Sequence, residues 1–150
     1  MVNKKFSSTK EYLSQIDRLE KMIQNKLSEI YQLKTMACSV TVSNDGERVQ
    51  TSSDKDRLGS TVAKIIDLER ETDNLVDSFS NKRKHIIEQI DGIDDVDYYH
   101  ILSMRYVGKN TFEDIAQKTN WSIRKVFSIH GKALQEFERI YGNEYLENMQ

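Results

Sequence analysis

Residues 111–126 read TFEDIAQKTNWSIRKV, and this stretch decides the fold of the C-terminal part of the chain. Thr111, followed three positions later by the carboxylate of Asp114, has the form of a capping box that starts a helix. Ser122 can cap a further helix in the same way. A short helix, a tight turn and a longer helix in this order predict a helix-turn-helix.

Apolar residues at helical spacing on both sides of this stretch extend it to a three-helix unit, predicted to span residues 94–142. Asp94 is expected to cap the first helix of the unit, and Gly108 is expected to end it as a left-handed cap. Trp121 is expected to pack back on Val126 as a hydrophobic staple that holds the turn rigid.

Two long helices are predicted before this unit, from about residue 9 to 37 and from about residue 54 to 91. The apolar positions are Leu13, Ile16, Leu19, Ile23, Leu27, Ile30, Leu33 and Ala37 in the first helix, and Leu58, Val62, Ile65, Leu68, Leu75, Phe79, Ile86 and Ile90 in the second. Because these stripes are narrow and close to a heptad repeat, the helices should form a coiled-coil-like antiparallel hairpin, or pair between chains.

The remaining segments are a loop and a tail. Residues 1–91 are predicted to form the helical arm, with a loop at about 38–53. Within it, Asn44-Asp45-Gly46 is either the turn of a small β-hairpin or part of a flexible loop. Residues 143–150 are predicted to form a C-terminal tail.

Composition supports an all-α fold. The 150 residues include no proline and six glycines, which argues against a turn-rich β-sandwich or barrel. No apolar run approaches the ~18 residues of a membrane span, and the first ten residues lack the apolar core of a signal peptide. Cys38 is the single cysteine, so no intramolecular disulfide can form. The expected protein is cytoplasmic, without contact to a membrane.

Charge points to one helix start as a binding site. Arg124 and Lys125 lie in the first predicted turn of the last helix, where cations oppose the helix dipole. Phosphate groups near that helix start would reverse the sign of this effect. Residues 98–141 contain seven lysines and arginines against four acids, although the whole chain has a net charge of −2. A local nucleic-acid site is therefore expected.

Sequence motifs of enzymes are missing from the chain. It contains no glycine-rich phosphate loop, HExxH, CxxC pair or nucleophile elbow. His85, His100 and His130 lack the spacing of metal ligands or of a catalytic triad, and His130 is expected at the surface or next to a phosphate. We therefore expect no enzyme, no metal site and no cofactor.

Four short segments carry a resemblance to a known family. They are HILSMRY at 100–106, TFEDIA at 111–116, SIRKV at 122–126 and KAL at 132–134. Together they resemble region four of bacterial sigma factors over about 45 residues, and the whole chain resembles phage-encoded regulators of the RinA/ArpU type. The resemblance implies binding to double-stranded DNA at promoters, late-gene activation and contact with host RNA polymerase.

The resemblance also implies which residues meet DNA. Carried over by position, Ile123, Arg124, Phe127 and Ser128 face the major groove, and Lys125 lies near phosphate. The other candidate DNA-binding residues are Thr111, Ser122 and Lys132. Sigma factors usually have polar or charged residues where this chain has Ile123 and Phe127. These two side chains either read thymine methyl groups or are buried against the long N-terminal helices.

Two other functions compete with transcription regulation. A DNA-packaging subunit of the small-terminase type also joins a helix-turn-helix to an oligomerising coiled coil. A sigma-like interaction module would bind polymerase or a host factor without reading DNA. In the leading hypothesis the helical arm makes the protein a homo-oligomer or contacts RNA polymerase.

Overall fold

The structure is a computed structural model that describes residues 6–42 and 52–147. Its helices in these ranges are α1 (Thr9–Leu13), α2 (Gln15–Val42), α3 (Ser52–Asp91), α4 (Val96–Leu102), α5 (Phe112–Thr119) and α6 (Ile123–Tyr145). The predicted all-α fold is confirmed, and the predicted turn at Asn44-Asp45-Gly46 lies outside the described residues. Among the helices in these ranges, none combines the length and apolar character needed to cross a membrane.

The chain divides into two compact units. The first combines residues 1–18 with residues 79–150, and the second comprises residues 19–78. From the sequence, a boundary was expected between residues 91 and 94. The observed division differs because α1, the first residues of α2 and the last turns of α3 share a core with the C-terminal helices.

The core of the first unit is apolar and contains residues from every helix from α1 to α6. Its most deeply buried side chains are Leu13, Ile16, Ile86, Ile90, Ile101, Leu102, Ile115, Val126 and Phe137. Full burial of side chains of this size stabilises a fold by about 1.5–3 kcal/mol each. The three-helix unit expected from the sequence therefore has its apolar faces covered by parts of the long helices.

The N-terminal segment packs on the end of α6. The Phe6 amide donates to the Tyr145 carbonyl oxygen at 2.8 Å, and the Glu147 amide donates to the Phe6 carbonyl oxygen at 3.2 Å. The Tyr12 ring stacks on the Tyr145 ring with centroids 4.0 Å apart. The Tyr12 hydroxyl donates to Gln89 Oε1 at 2.7 Å. Residues 143–145, assigned to a tail from the sequence, thus continue α6.

In the second unit, α2 and α3 pack against each other within the chain. Ile30, Ile65 and Leu68 are buried and Leu33 lies against them. Ion pairs join Lys26 to Glu71 at 3.2 Å and Lys34 to Glu69 at 2.7 Å. The coiled-coil geometry of this arm stays a prediction.

Two members of the predicted apolar stripes point to solvent in the second unit. Leu27 is 47% exposed and Val62 is 45% exposed. A stripe with a 3.5-residue period drifts by ~20° per heptad around a straight α-helix, which turns some of its members outward. Part of the apolar surface of the arm is therefore not covered by the pairing of α2 with α3.

The start of α4 differs from its prediction. Asp95, not Asp94, is the N-cap, and its carboxylate accepts from the backbone amides of Asp97 and Tyr98, both at 3.0 Å. The expectation for Asp94 was wrong because the helix begins one residue later, at Val96. Two adjacent aspartates could each have capped the helix, and local sequence does not decide between them.

The end of α4 also differs from its prediction. The helix widens into a π-helical turn over Ser103–Val107, and the Gly108 amide donates to the Ser103 carbonyl oxygen at 2.9 Å. Gly108 has a φ of −81°, so the predicted left-handed cap is wrong; Lys109, with a φ of 55°, adopts that conformation. A Cβ at Gly108 would lie 2.8 Å from Asn110 Nδ2. The close approach of the Asn110 side chain therefore favours glycine at this position.

Candidate nucleic-acid interface

α5 begins with the capping box that the sequence predicts. The Thr111 hydroxyl accepts from the Asp114 amide at 3.1 Å, and the Asp114 carboxylate accepts from the Thr111 amide at 3.2 Å. These hydrogen bonds lower the pKa of the Asp114 carboxyl below its ordinary value. The pair fixes the start of α5 and satisfies backbone amides that the first helical turn leaves without a partner.

A tight turn of three residues joins α5 to α6. Asn120 ends α5 with φ 58° and ψ 24°, a left-handed conformation that asparagine tolerates better than most residues. Ser122 then caps α6, as predicted, because its hydroxyl accepts from the Lys125 amide at 3.1 Å. The two helices and this turn form the helix-turn-helix arrangement expected from the sequence.

Trp121, inside the turn, connects the start of α6 to the core. Its half-buried ring packs against the core cluster that contains Val126. The Lys125 ammonium lies 4.9 Å from the centroid of the Trp121 ring, within the range of a cation–π contact. The tryptophan therefore supports the turn and also orients one of the two cations in the first turn of α6.

All eight predicted DNA-binding residues lie at the surface. Thr111 and Ser122 are the N-caps of α5 and α6, and Lys132 lies further along α6. The exposed residues are Thr111, Ser122, Ile123, Arg124, Lys125, Phe127, Ser128 and Lys132. The first turn of α6 contains no acidic residue. The structure thus brings six of the eight together in residues 122–128, at the beginning of one helix.

Ile123 and Phe127 are exposed and are not buried against the long helices. Ile123 is 42% exposed and Phe127 is 52% exposed. The Phe127 ring packs on Phe112, with centroids 4.9 Å apart, so α5 holds it in place. The alternative in which the long helices bury these side chains is excluded, because Val126, Ala133 and Phe137 occupy the buried face of α6.

His130 is buried, so the expectation of a surface position next to phosphate was wrong. It lies four residues after Val126 and therefore on the core-facing side of α6. Its Nε2 and the Tyr106 hydroxyl form a hydrogen bond of 2.8 Å. Burial, together with the nearby charges of Arg105 and Lys10, lowers the pKa of the imidazole to about 4. The histidine is neutral at pH 7.

Arg105 belongs to the same region but was not singled out from the sequence. Its guanidinium carbon lies 4.1 Å from the centroid of the Phe112 ring. Its Nη1 donates to the Asn110 carbonyl oxygen at 3.0 Å. Arg105 thereby links the π-helical turn to the pair formed by Phe112 and Phe127. The sequence signal was its place in the HILSMRY segment, but no spacing rule predicts the stacking.

Comparison with known proteins gives one family match. A family model with the description "Protein of unknown function (DUF1492)" matches residues 49–138, which is more than half of the chain. This range contains all of α3, α4 and α5 and the first two-thirds of α6. No curated protein and no solved structure matches the chain significantly.

Proposed function

The chain belongs to the DUF1492 family, and we propose that this member is a sequence-specific, DNA-binding transcription regulator. The observation that carries the proposal is the exposed N-terminal face of α6, where Ile123, Arg124 and Phe127 stand on a helix held by α5. The major groove of B-DNA is wide enough to admit an α-helix, and its base edges distinguish all four base pairs.

Each side chain on this face has a chemical role. Arg124 can donate two hydrogen bonds to a guanine, which is the commonest specific contact in protein–DNA complexes. Ile123 and Phe127 offer apolar contacts to thymine methyl groups, and Ser128 can donate to or accept from a base. An apolar pair beside an arginine favours a site with both thymine and guanine.

Phosphate contacts would position this face on the duplex. Lys125 and Lys132 supply positive charges, and the helix starts at Thr111 and Ser122 supply hydroxyl and amide groups. Cations in the first turn of α6 destabilise the free protein by a few tenths of a kcal/mol each, because they oppose the helix dipole. Bound phosphates would convert this penalty into an attraction.

The biological setting follows from the resemblance to sigma region four and to RinA/ArpU-type regulators. It supports action at promoters of phage late genes, with host RNA polymerase, in the bacterial cytoplasm. The arm supports self-association, since several apolar side chains of the second unit are exposed, with Tyr31 at 72% and Met36 at 61%. Large exposed apolar side chains can contribute to a surface that binds a protein partner.

Genome-wide footprinting in a lysogen tests the function and identifies its target together. We expect protection of a small number of sites that share one sequence and lie at promoters. In vitro, the logarithm of the affinity for such a site should fall linearly with the logarithm of salt concentration. Absence of DNA binding even at low salt would contradict the proposal and favour a module that binds polymerase or a host factor.

Mass in solution separates regulation from DNA packaging. A transcription regulator is expected to be a monomer or a small oligomer, up to about a tetramer. A ring of roughly eight or more subunits would favour the packaging function instead. Sedimentation equilibrium of the full chain at several concentrations measures this mass and therefore the number of subunits.

A further inference from the structure

A cavity lies in the first unit, and none of its described lining residues belongs to α6. It is bounded by α1, the first residues of α2 and the π-helical turn. Its volume is about 180 Å³, and its lining residues are Lys10, Leu13, Ser14, Asp17, Arg105, Tyr106 and Lys109. One water molecule needs ~10–15 Å³ by this type of measure, so the cavity has room for a group of several heavy atoms.

The cavity is rich in positive charge. Lys10, Arg105 and Lys109 contribute three cations, and Asp17 contributes the one carboxylate among the described lining residues. Arg105 and Lys10 also act on the neighbouring His130, whose pKa falls to about 4 through burial first and these two charges second. An anion in the cavity would therefore meet a positive potential.

Arg105 is fixed before any ligand arrives. Its hydrogen bond to the Asn110 carbonyl oxygen uses one of five guanidinium N–H groups, and the Phe112 ring packs against its guanidinium. A guanidinium held in one orientation loses little side-chain entropy when it binds an oxyanion. The planar fork of the remaining donors matches the geometry of phosphate oxygens.

Lys109 occupies an unusual position for a lysine. Its φ of 55° lies in the left-handed region, while Gly108, the residue before it, has a φ of −81°. A glycine at position 109 would adopt this backbone without a steric cost. Residues held in this region cluster at ligand-binding and active sites, where the surrounding structure maintains them. The position thus places a cationic side chain in the cavity lining at a conformational cost.

We propose that this cavity binds a phosphate group. Three cations around a space for a five-atom tetrahedral anion fit this ligand, and none of the three belongs to the predicted DNA-contacting residues. The phosphate comes either from a free phosphorylated small molecule or from the DNA backbone, since both present the same oxygens. A free phosphorylated ligand would add a function to the proposed one, whereas a DNA phosphate would extend the proposed interface. Binding of inorganic phosphate in the cavity can be tested without assuming the proposed function.

The direct test is titration of the full chain with inorganic phosphate at constant ionic strength, followed by NMR of the backbone amides. We expect saturable shifts at Lys10, Ser14, Arg105 and Lys109. Lys10→Gln and Lys109→Asn should each weaken phosphate binding by about two- to fivefold, the range expected for one ion pair near the surface. Asparagine tolerates the left-handed backbone, so the second variant keeps the fold.

Two further variants make the test specific. Asp17→Asn should tighten phosphate binding, because it removes the carboxylate that repels the ligand. Lys64→Gln, which removes one exposed cation from α3 in the second unit, should leave it unchanged. Absence of saturable shifts in the wild-type protein would overturn the proposal. So would a loss for Lys64→Gln equal to that for Lys10→Gln.

Measurement of DNA affinity with the same variants identifies the source of the phosphate. If Lys10→Gln and Lys109→Asn weaken the binding of DNA and of inorganic phosphate by similar factors, the ligand is the DNA backbone. If they weaken the binding of inorganic phosphate alone, the ligand is a free phosphorylated molecule. Failure of all DNA binding would remove the proposed function and leave the phosphate titration as a valid test of the cavity.

Discussion

His130 shows how one residue couples α6 to the core of the first unit. Its imidazole is neutral because burial and two nearby cations lower its pKa to about 4, from the ordinary 6.5. In the unfolded chain the same group takes up a proton near pH 6.5. Between these two values the unfolded state binds more protons than the folded state, so stability falls as the pH decreases through this window.

Replacement of His130 by glutamine should remove this part of the pH dependence. We expect wild-type protein to lose about 1–3 kcal/mol more stability than His130→Gln between pH 7 and pH 4.5, because a shift of one pKa unit corresponds to ~1.4 kcal/mol. Glutamine can keep a hydrogen bond to Tyr106. Urea unfolding of both proteins across this pH range measures the difference in their free energies of unfolding. If the two proteins lose equal stability as the pH falls, His130 is not the cause of the pH dependence.

Substitution of glycine by alanine is predicted to change stability in opposite directions at Gly131 and Gly92. A Cβ at Gly131 would have no atom within 4 Å, so Gly131→Ala should stabilise the protein by about 1 kcal/mol through helix propensity. A Cβ at Gly92 would collide with the Tyr141 hydroxyl and lie 3.3 Å from the Gln89 carbonyl oxygen. Gly92→Ala should therefore destabilise it. Thermal unfolding that shifts in the same direction for both variants would contradict this account.

At the scale of the helix, the capping box of α5 makes a local contribution to stability that can be measured. Thr111→Ala removes the acceptor for the Asp114 amide and should cost about 1 kcal/mol of stability. Thr35→Ala is the matched control, because Thr35 is exposed within α2 and donates only to the Tyr31 carbonyl oxygen in its own helix. Thr35→Ala should leave the free energy of unfolding unchanged or raise it slightly, as measured by chemical unfolding. Equal losses for both variants would argue against the cap.

Two helix starts that a hydroxyl side chain caps were predictable from the sequence. The caps at Thr111 and Ser122 depend on residues three positions away, and both were expected. The π-helical turn and the left-handed Lys109 were not expected. They depend on how the end of α4 meets Asn110, whose amide and side chain both donate to the Met104 carbonyl oxygen. Hydrophobic periodicity carries no signal for such a turn.

At the scale of the whole molecule, the N-terminal segment and the end of α3 complete the core of the first unit. Long-range packing of this kind, such as Tyr12 on Tyr145 and Gln89, joins residues more than 70 positions apart. Amphipathic spacing showed which faces are buried but not which helices cover them. The spacing of His130 from Val126 indicates the buried face of α6, but its hydrogen-bond partner Tyr106 comes from a different helical element and could not be predicted from spacing.

This arrangement predicts that residues 94–150 do not form a stable domain alone. Such a fragment lacks Leu13, Ile16, Ile86 and Ile90, all of them fully buried in the first unit. We expect weak, non-cooperative thermal unfolding by circular dichroism, in contrast to the full chain. A second test that needs no truncation is Ile90→Ala in the full chain, which should lose about 2–5 kcal/mol. Cooperative unfolding of the fragment at the temperature of the full chain would contradict the shared core.

Arg124→Ala is the most direct test of the proposal that the start of α6 reads DNA. With a cognate site from footprinting, fluorescence anisotropy should show a loss of about 1–3 kcal/mol in binding free energy. Arg70→Ala, which removes an equal charge from an exposed position of α3, should bind as the wild type does. Unchanged affinity for Arg124→Ala, or an equal loss for Arg70→Ala, would contradict the account.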